Sequence, residues 1–499
     1  MTMLEWHSKD VKKMLIQKRN GLFQDYDNNK IETAIKKAFC SLSETIKDDE
    51  LKKMIADIEK HIIADMSVEA IQDLVEETLM KHGYLQVAKA YILYRQKHTE
   101  QRLIIDELLA LLGNQNLKKV LLKIHKDYPQ EEYSLQLLLV KFKIFYKEGM
   151  SHFEALKMLM KASVELISKE APKWEMISAR FLTYDVNQQV DQKMNTAGRY
   201  TFYERINYLA QQGYYGQYIL ESYSKDEIDM LGQYISESRN ELFTYSGLEL
   251  IVKRYLIQNH DREIIEKPQE MFMSIAMHLA MNESNRVKWA KEIYDILSTL
   301  KVTMATPTMS NARKPFHQMS SCFIDTVDDS LAGIYKSIDN FAKVSKNGGG
   351  MGLYFGKVRA NGSSIRGFKG AAGGVIRWLK LVNDTATAVD QLGVRQGAAA
   401  VYLDAWHKDL PEFLQIRTNN GDDRMKAHDI FPAVCYPDLF WKLAKNDLEA
   451  SWYMMCPHEI HEVKGYYLED CYGEEWERKY YECVEDDRIP KRVMTVKEI

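Results

Sequence analysis

Glycine is spread unevenly along this chain of 499 residues, sparse before Lys301 and dense from Asn347 to Ala398. A residue without Cβ weakens helices, and it is needed where backbone turns tightly or approaches a ligand closely. The distribution therefore predicts packed helices up to about Lys301 and a mixed α/β region beyond. The length is that of roughly three ordinary domains. Hydrophobic residues at 45% and charged residues at 28% give a globular balance with a large core. Lys plus Arg (67) nearly match Asp plus Glu (71), which excludes retention on nucleic acid by bulk charge and leaves only local basic patches. The six cysteines, Cys40, Cys322, Cys435, Cys456, Cys471 and Cys483, are scattered and form no CxxC. A disulfide scaffold is not expected, and a reducing cytoplasm is the expected compartment. No run approaches the roughly 18 apolar residues of a membrane span. The N-terminal MTMLEWHSKDVKKM lacks the apolar core of a signal peptide, so no membrane association is expected.

Near the N-terminus, IQKRNGLFQDYD predicts two short strands around a turn at Asn20-Gly21, a strong hairpin signal. A helix follows, with Ile31, Ala34, Ile35, Ala38 and Phe39 on one face. Ser67 is a good N-cap for a later helix striped by Ile71, Leu74, Val75 and Leu79. VAKAYILYRQKH predicts another, ending near Lys97 and His98. Together these make a small α+β module. From there to Lys301 helical periodicity dominates. The tyrosines of RYTFYERINYLAQQGYYGQYILESY, like WEMISARFL and AKEIYDILSTL, read as packing.

The stretch from Lys301 to Ala405 carries the chemistry. Asp329 precedes a helix striped by Leu331, Ile334, Tyr335, Ile338, Phe341 and Ala342, closed by Asn347 and Gly348. Asp329 either stabilises that helix start through the macrodipole or serves a ligand. GLYFGKV reads as a strand, and RANGSSIRG as a loop whose Arg359 and Arg366 suit a phosphate or simply face solvent. A second helix, with Trp378, Leu381, Val382, Thr385 and Val389, leads to a Gly-rich segment from Gln391 to Ala398 and then to the strand AVYLDAW. Neither a Walker loop nor a GxGxxG fingerprint is present. Cys322 follows Ser320 and Ser321 at the head of an apolar strand. A lone cysteine of this kind is usually inert, and no neighbour in sequence lowers its pKa, so spacing alone does not make it catalytic.

Five blocks in order, MATPTMSNARKPFHQMSSCFI, DDSLAGIY, NGGGMGL, VRANGSSIRG and QLGVRQGAAAVYLDAWHKDL, resemble the large (α) subunit of class I ribonucleotide reductase. IQKRNGLFQDYDNNKIETAIKKAF is similar to the ATP-cone, that family's activity module. The resemblance covers the cone and the chain from Trp174 to Ile499. Residues 103–173 match poorly, although KASVELISKEAPKWEMISARF resembles the tail of another cone. It implies an α/β fold in four parts. These are an ATP-cone over 1–102, a helical segment over 103–173 readable as a degenerate second cone, a helical domain over 174–300, and the first half of a ten-stranded α/β barrel over 301–499.

By the same resemblance Cys322 reduces substrate and becomes half of a disulfide. Thr306 and Ser321 line the substrate pocket, Gly350 makes a backbone contact there, and Arg395 touches substrate. Asp329, Ser330, Leu331, Arg359, Arg366 and Gln391 belong to the allosteric specificity site, and residues 391–398 relay effector identity. Lys18, Arg19, Gln24, Asp27, Lys30 and Lys97 match the ATP cradle, with Gln24 standing where the family often has an acidic residue. Implied effectors are Mg-bound ATP, dATP and deoxynucleoside triphosphates. No metal or cofactor is expected in this chain, the metal-radical cofactor belonging to a small β subunit. Further implied partners are a C-terminal half of the large subunit, thioredoxin or glutaredoxin, and a second copy docked through the specificity-site helices. The family's Asn-x-Cys-x-Glu motif is absent, and IPKRVMTVKEI aligns just before it. Ribonucleotide reduction is therefore expected only with the C-terminal half, and a stand-alone nucleotide-binding regulator is the alternative. Cys456, Cys471 and Cys483 are read as structural.

Overall fold

A computed structural model describes residues 15–18, 21–193, 200–389 and 396–499. The chain divides into two compact units, Met1–Phe181 and Leu182–Ile499.

In the first unit β1 (Leu15–Gln17) and β2 (Phe23–Asp25) pair antiparallel, Ile16 opposite Gln24. Gly21 takes a left-handed φ of 78° and its N–H donates to the Lys18 carbonyl at 2.9 Å. Asn20 and Arg19 lie outside the described residues. Helix α1 (Asn28–Ser41) is capped by Asp27, whose carboxylate accepts from the Asn29 N–H, and it buries Ile31, Ile35, Ala38 and Phe39. After α2 (Asp48–Glu59), α3 (Val68–Lys81) starts on the expected Ser67 cap, which accepts from the Ala70 N–H. Ile35, Phe39, Met54, Ile58, Val75, Leu79 and Ala88 form the core of this part.

Helix α4 corrects the sequence reading. It does not end near His98 but runs from Leu85 to Leu112. Neither Gly nor Pro interrupts it until Gly113, which takes φ 60° and closes the helix. Residues on both sides of position 102 thus lie on one helix. Beyond it α5 (Lys118–Asp127), α6 (Leu135–Phe145) and α7 (His152–Val164) complete the unit. Ser151 and Glu154 form a reciprocal capping box on α7.

The second unit opens with helices, among them α8 (Pro268–Ala280), buried on nearly every side, and α9 (Arg286–Ser298). A fully buried ion pair joins the segment just before α8 to the chain beyond Asn311. The Arg313 guanidinium donates to both Glu266 oxygens at 2.5 and 2.6 Å and to the carbonyls of Met309 and Tyr255. The short helix α10 (Thr306–Asn311) precedes a four-stranded parallel sheet of β3 (Cys322–Thr326), β4 (Gly350–Tyr354), β5 (Ala399–Asp404) and β6 (Phe431–Cys435), adjacent in chain order. The crossovers β3 to β4 and β4 to β5 carry α11 (Leu331–Lys346) and α12 (Gly374–Ala388). Such right-order parallel winding with helical crossovers is α/β architecture. The expected strand GLYFGKV begins two residues earlier, at Gly350, and ends at Tyr354. Phe341, Leu353, Leu379, Val401, Leu403 and Trp406 fill the core between helices and sheet. A separate antiparallel pair, β7 (Ser451–Met454) with β8 (Arg492–Thr495), flanks α13 (Pro457–Lys464) and α14 (Gly473–Val484) in sequence. Among the described residues, no helix is long and apolar enough to cross a membrane.

Candidate functional site

In the first unit α1 and α4, with Gln72 of α3, enclose a cavity of about 530 Å³. Helix α1 presents Lys30, Thr33, Lys37 and Ser41, and α4 presents Tyr91, Tyr94, Arg95, His98 and Arg102. No carboxylate is among the lining residues. Arg95 is held by Glu76 at 2.8 Å and by Asp73. His98 has its pKa lowered, first by burial and then by the charges of Arg102, Lys97 and Lys37. The Tyr94 ring meets it edge-on, centroids 4.2 Å apart. Cations converging on one space beside aromatic rings suit a polyphosphate carrying a flat base.

Of the expected cradle, Lys30 lines this cavity. Lys97 does not, though it acts on the charge of His98. Lys18 is exposed at the hairpin, Gln24 sits in the β1–β2 ladder, and Asp27 serves as the α1 cap. Lys37, His98 and Arg102 were not anticipated. Their signal was in the sequence: Lys30, Thr33, Lys37 and Ser41 repeat at helical spacing, as do Tyr91, Tyr94, His98 and Arg102.

In the second unit the N-terminal ends of three strands meet. Cys322, a free and exposed thiol, stands opposite Gly350 in the β3–β4 register. The Gly350 N–H donates to the Ser321 carbonyl at 2.7 Å, and the Met351 N–H to that of Ala398 at 3.2 Å. Ser321, Cys322, Gly350 and Ala398 thus lie side by side. The Ser321 hydroxyl is 3.7 Å from the Cys322 sulfur. A Cβ on Gly349 would fall 2.7 Å from Phe323 and Val344 side-chain atoms, so this close strand approach needs glycine there. Thr306 heads α10, its hydroxyl 3.5 Å from that of Tyr255. Gln391 and Arg395 lie outside the described residues.

Ser330, not Asp329, caps α11, its hydroxyl accepting from the Gly333 N–H at 3.0 Å. Asp329 is turned to Arg359: one carboxylate oxygen accepts from its backbone N–H at 3.0 Å, the other from Nε at 2.7 Å. Arg359 also donates to the Ser364 carbonyl at 2.6 Å. Arg366 is exposed in a tight turn from Ile365 to Phe368, with φ 50° at Arg366 and 83° at Gly367. That backbone, left-handed at both central positions, is type I′. Leu331 and Tyr335 form an exposed apolar strip on α11, 66% and 52% accessible.

Residues far along the chain pin this loop. Buried Asp409 accepts from the N–H groups of Asn361 and Val375, each at 2.9 Å. His407 Nδ1 accepts from the Asp409 N–H, so its Nε2–H donates to the Val358 carbonyl at 2.9 Å. Gly374, with φ 73°, permits the contact, because a Cβ there would sit 2.5 Å from Asp409 Oδ2. His458 Nδ1 is 3.8 Å from Asp329. No local pattern pointed to Asp409, His407 or His458. Among the described residues, no group of three His, Cys, Asp or Glu side chains is placed to hold a metal ion.

Family models match the chain in three successive blocks: the ATP cone domain over residues 14–100, the ribonucleotide reductase all-alpha domain over 241–317, and the ribonucleotide reductase barrel domain over 320–499. The chain belongs to the ribonucleotide reductase large-subunit family. It is similar to the ribonucleoside-diphosphate reductase subunit alpha of Treponema pallidum, 53% identical over 496 residues, covering 97% of this chain and 59% of that relative. The subunit of the same name from Helicobacter pylori (strain J99) is 37% identical over 370 residues, 74% of this chain and 45% of its own length. That of Chlamydia trachomatis serovar D is 32% identical over 516 residues, 95% of this chain and 48% of its own. The chain thus spans about half to three-fifths of the length of these curated relatives.

Proposed function

We propose that this chain is the N-terminal portion of a ribonucleoside-diphosphate reductase α subunit. It reduces ribonucleotides to 2′-deoxyribonucleotides once joined by the remaining part of the subunit and a radical-generating β subunit. The reading is carried by the free Cys322 thiol at the mouth of three parallel strands, beside Ser321 and Gly350. Thr306, Ser321 and Gly350 hold the substrate's phosphate and ribose, with Arg395 touching substrate. Cys322 gives one of two thiols. Their oxidation to a disulfide supplies two electrons and two protons: the 2′ carbon–oxygen bond breaks, that oxygen leaves as water, and a hydrogen takes its place on the 2′ carbon. The second thiol must come from outside this chain's mapped motifs, within the about 7 Å Cα separation that a disulfide needs. The metal-radical cofactor of the β subunit supplies the initiating radical, and thioredoxin or glutaredoxin restores the thiols in the cytoplasm.

Effector triphosphates, Mg-bound, bind at the Asp329, Ser330, Leu331, Arg359, Arg366 and Gln391 region. Two copies pair through α11 and its exposed Leu331 and Tyr335. ATP and dATP bind the cone, where Lys18, Arg19, Gln24, Asp27, Lys30 and Lys97 act with Lys37, His98 and Arg102. In an assembly of this chain, the remaining α polypeptide and the β subunit, Cys322→Ser should abolish dithiol-dependent turnover and leave triphosphate binding intact. Full activity of that variant, or ribonucleotide reduction by this chain alone, would overturn the reading.

A further inference from the structure

The segment between α10 and β3 is tied down by one side-chain amide. Gln318 Oε1 accepts from the Ser320 N–H, and its Nε2 donates to the Ser320 carbonyl at 3.0 Å. The same Nε2 reaches the Asn347 carbonyl at 3.3 Å. Gln318 therefore offers Ser320 both a donor and an acceptor, as a neighbouring strand would. Its own carbonyl accepts from Asn311 Nδ2 at 2.8 Å, and that nitrogen also lies 3.5 Å from the Asn347 carbonyl. Asn311 is 2% exposed at the end of α10. Two amides thus knot three segments: α10, the chain two residues ahead of Cys322, and the turn from Asn347 to Gly350. These segments carry Thr306, Ser321 with Cys322, and Gly350.

We propose that Gln318, backed by Asn311, is a positioning residue that fixes the Cys322 thiol against Gly350 and the end of α10. The proposal rests on the reading of Cys322 as the substrate-reducing thiol. The chemistry requires an amide. A carboxylate keeps the acceptor for Ser320 but loses both donated bonds and sets a negative charge beside two carbonyl oxygens. A thioether of the same length keeps the packing and loses every bond. Holding reacting atoms in register is worth orders of magnitude in rate, and a displacement of about 1 Å can cost about a hundredfold.

The test compares Gln318→Met and Gln318→Ala with the unaltered chain, first alone and then in the assembled reductase. Alone, hydrogen exchange at the Ser320 amide should rise at least about tenfold in both variants. In the assembly kcat should fall about 10- to 100-fold, while KM for the ribonucleotide moves less than about threefold and triphosphate binding at the Arg359 loop is unchanged. Gln318→Met keeps the test open should Gln318→Ala fold poorly. Turnover within about twofold of normal in Gln318→Met, in an assembly that Cys322→Ser inactivates, would overturn the proposal. An assembly in which Cys322→Ser stays active would overturn the underlying site reading instead.

Discussion

The two regions that suit an anionic ligand differ in how they hold positive charge. Around the cavity of the first unit, Lys30, Lys37 and Arg102 face one space that no carboxylate lines. In the second unit Arg359 is gripped by Asp329 at 2.7 Å and by a loop carbonyl, and that loop is itself fixed by Asp409. The first arrangement concentrates like charge that a bound anion would relieve, although Arg95 of the same lining is held by Glu76 and Asp73. The second is organised in advance, so an anion arriving there would meet a guanidinium already in place. Ligand binding should therefore change the stability of the first region more than that of the second.

The pre-paired arrangement has its extreme in Arg313 and Glu266, both fully buried. Glu266→Ala strands a buried guanidinium and should lower the stability of the second unit by about 3–5 kcal/mol in urea unfolding. A loss under about 1 kcal/mol would mean that the pair is not isolated from water. At the Arg359 loop, Arg359→Ala should weaken triphosphate binding by about 1.5–3 kcal/mol, the worth of a charge-assisted hydrogen bond. Unchanged affinity there would remove this loop from the comparison. In the cavity, Lys37→Ala should cost ATP binding about 1 kcal/mol while leaving the ligand-free unit no less stable, since it removes repulsion. Equal destabilisation of the ligand-free protein would show that Lys37 has a structural partner.

The subtlest effect is a pH dependence. Burial and neighbouring cations hold the His98 pKa below its ordinary value. As pH falls through the ordinary histidine range near 6.5, the unfolded chain takes up a proton that the folded, ligand-free unit resists, so stability drops. A bound polyphosphate should reverse the sign at His98, so that binding takes up protons and ATP affinity rises from pH 8 to pH 6. Calorimetry in buffers of different ionisation enthalpy should record that uptake, and His98→Ala should erase it.

Local chemistry was legible in the sequence. The paired strands of the hairpin, the Ser67 cap and the helix after Asp329 rest on contacts within a few residues, and the structure has them where expected. The loop arginine was legible too, but not its partner: Asp329 lies 30 positions before Arg359. Contacts of still longer reach, such as Asp409 on Asn361, have no periodic trace. The cavity was missed for another reason. Ending the helix at His98 cut the repeat of Tyr91, Tyr94, His98 and Arg102 before its last member, so the stripe could not declare itself. Gln318 was hidden because it satisfies backbone groups, and backbone carries no sequence signature.

Helix α4 has one more property. It buries Val87, Ala88 and Tyr91 near its start, and Ile105, Leu108, Leu109 and Leu112 near its end, with no buried residue between Tyr91 and Ile105. Its 28 residues span about 42 Å. Between those two sets the helix is held by Arg95, which is bonded to Glu76 and Asp73 of α3, and the two apolar anchors are phased by residue count. Removing a single residue there turns one end by about 100° against the other and draws them about 1.5 Å together. In that middle stretch the number of residues is therefore constrained, as well as the side chains that line the cavity.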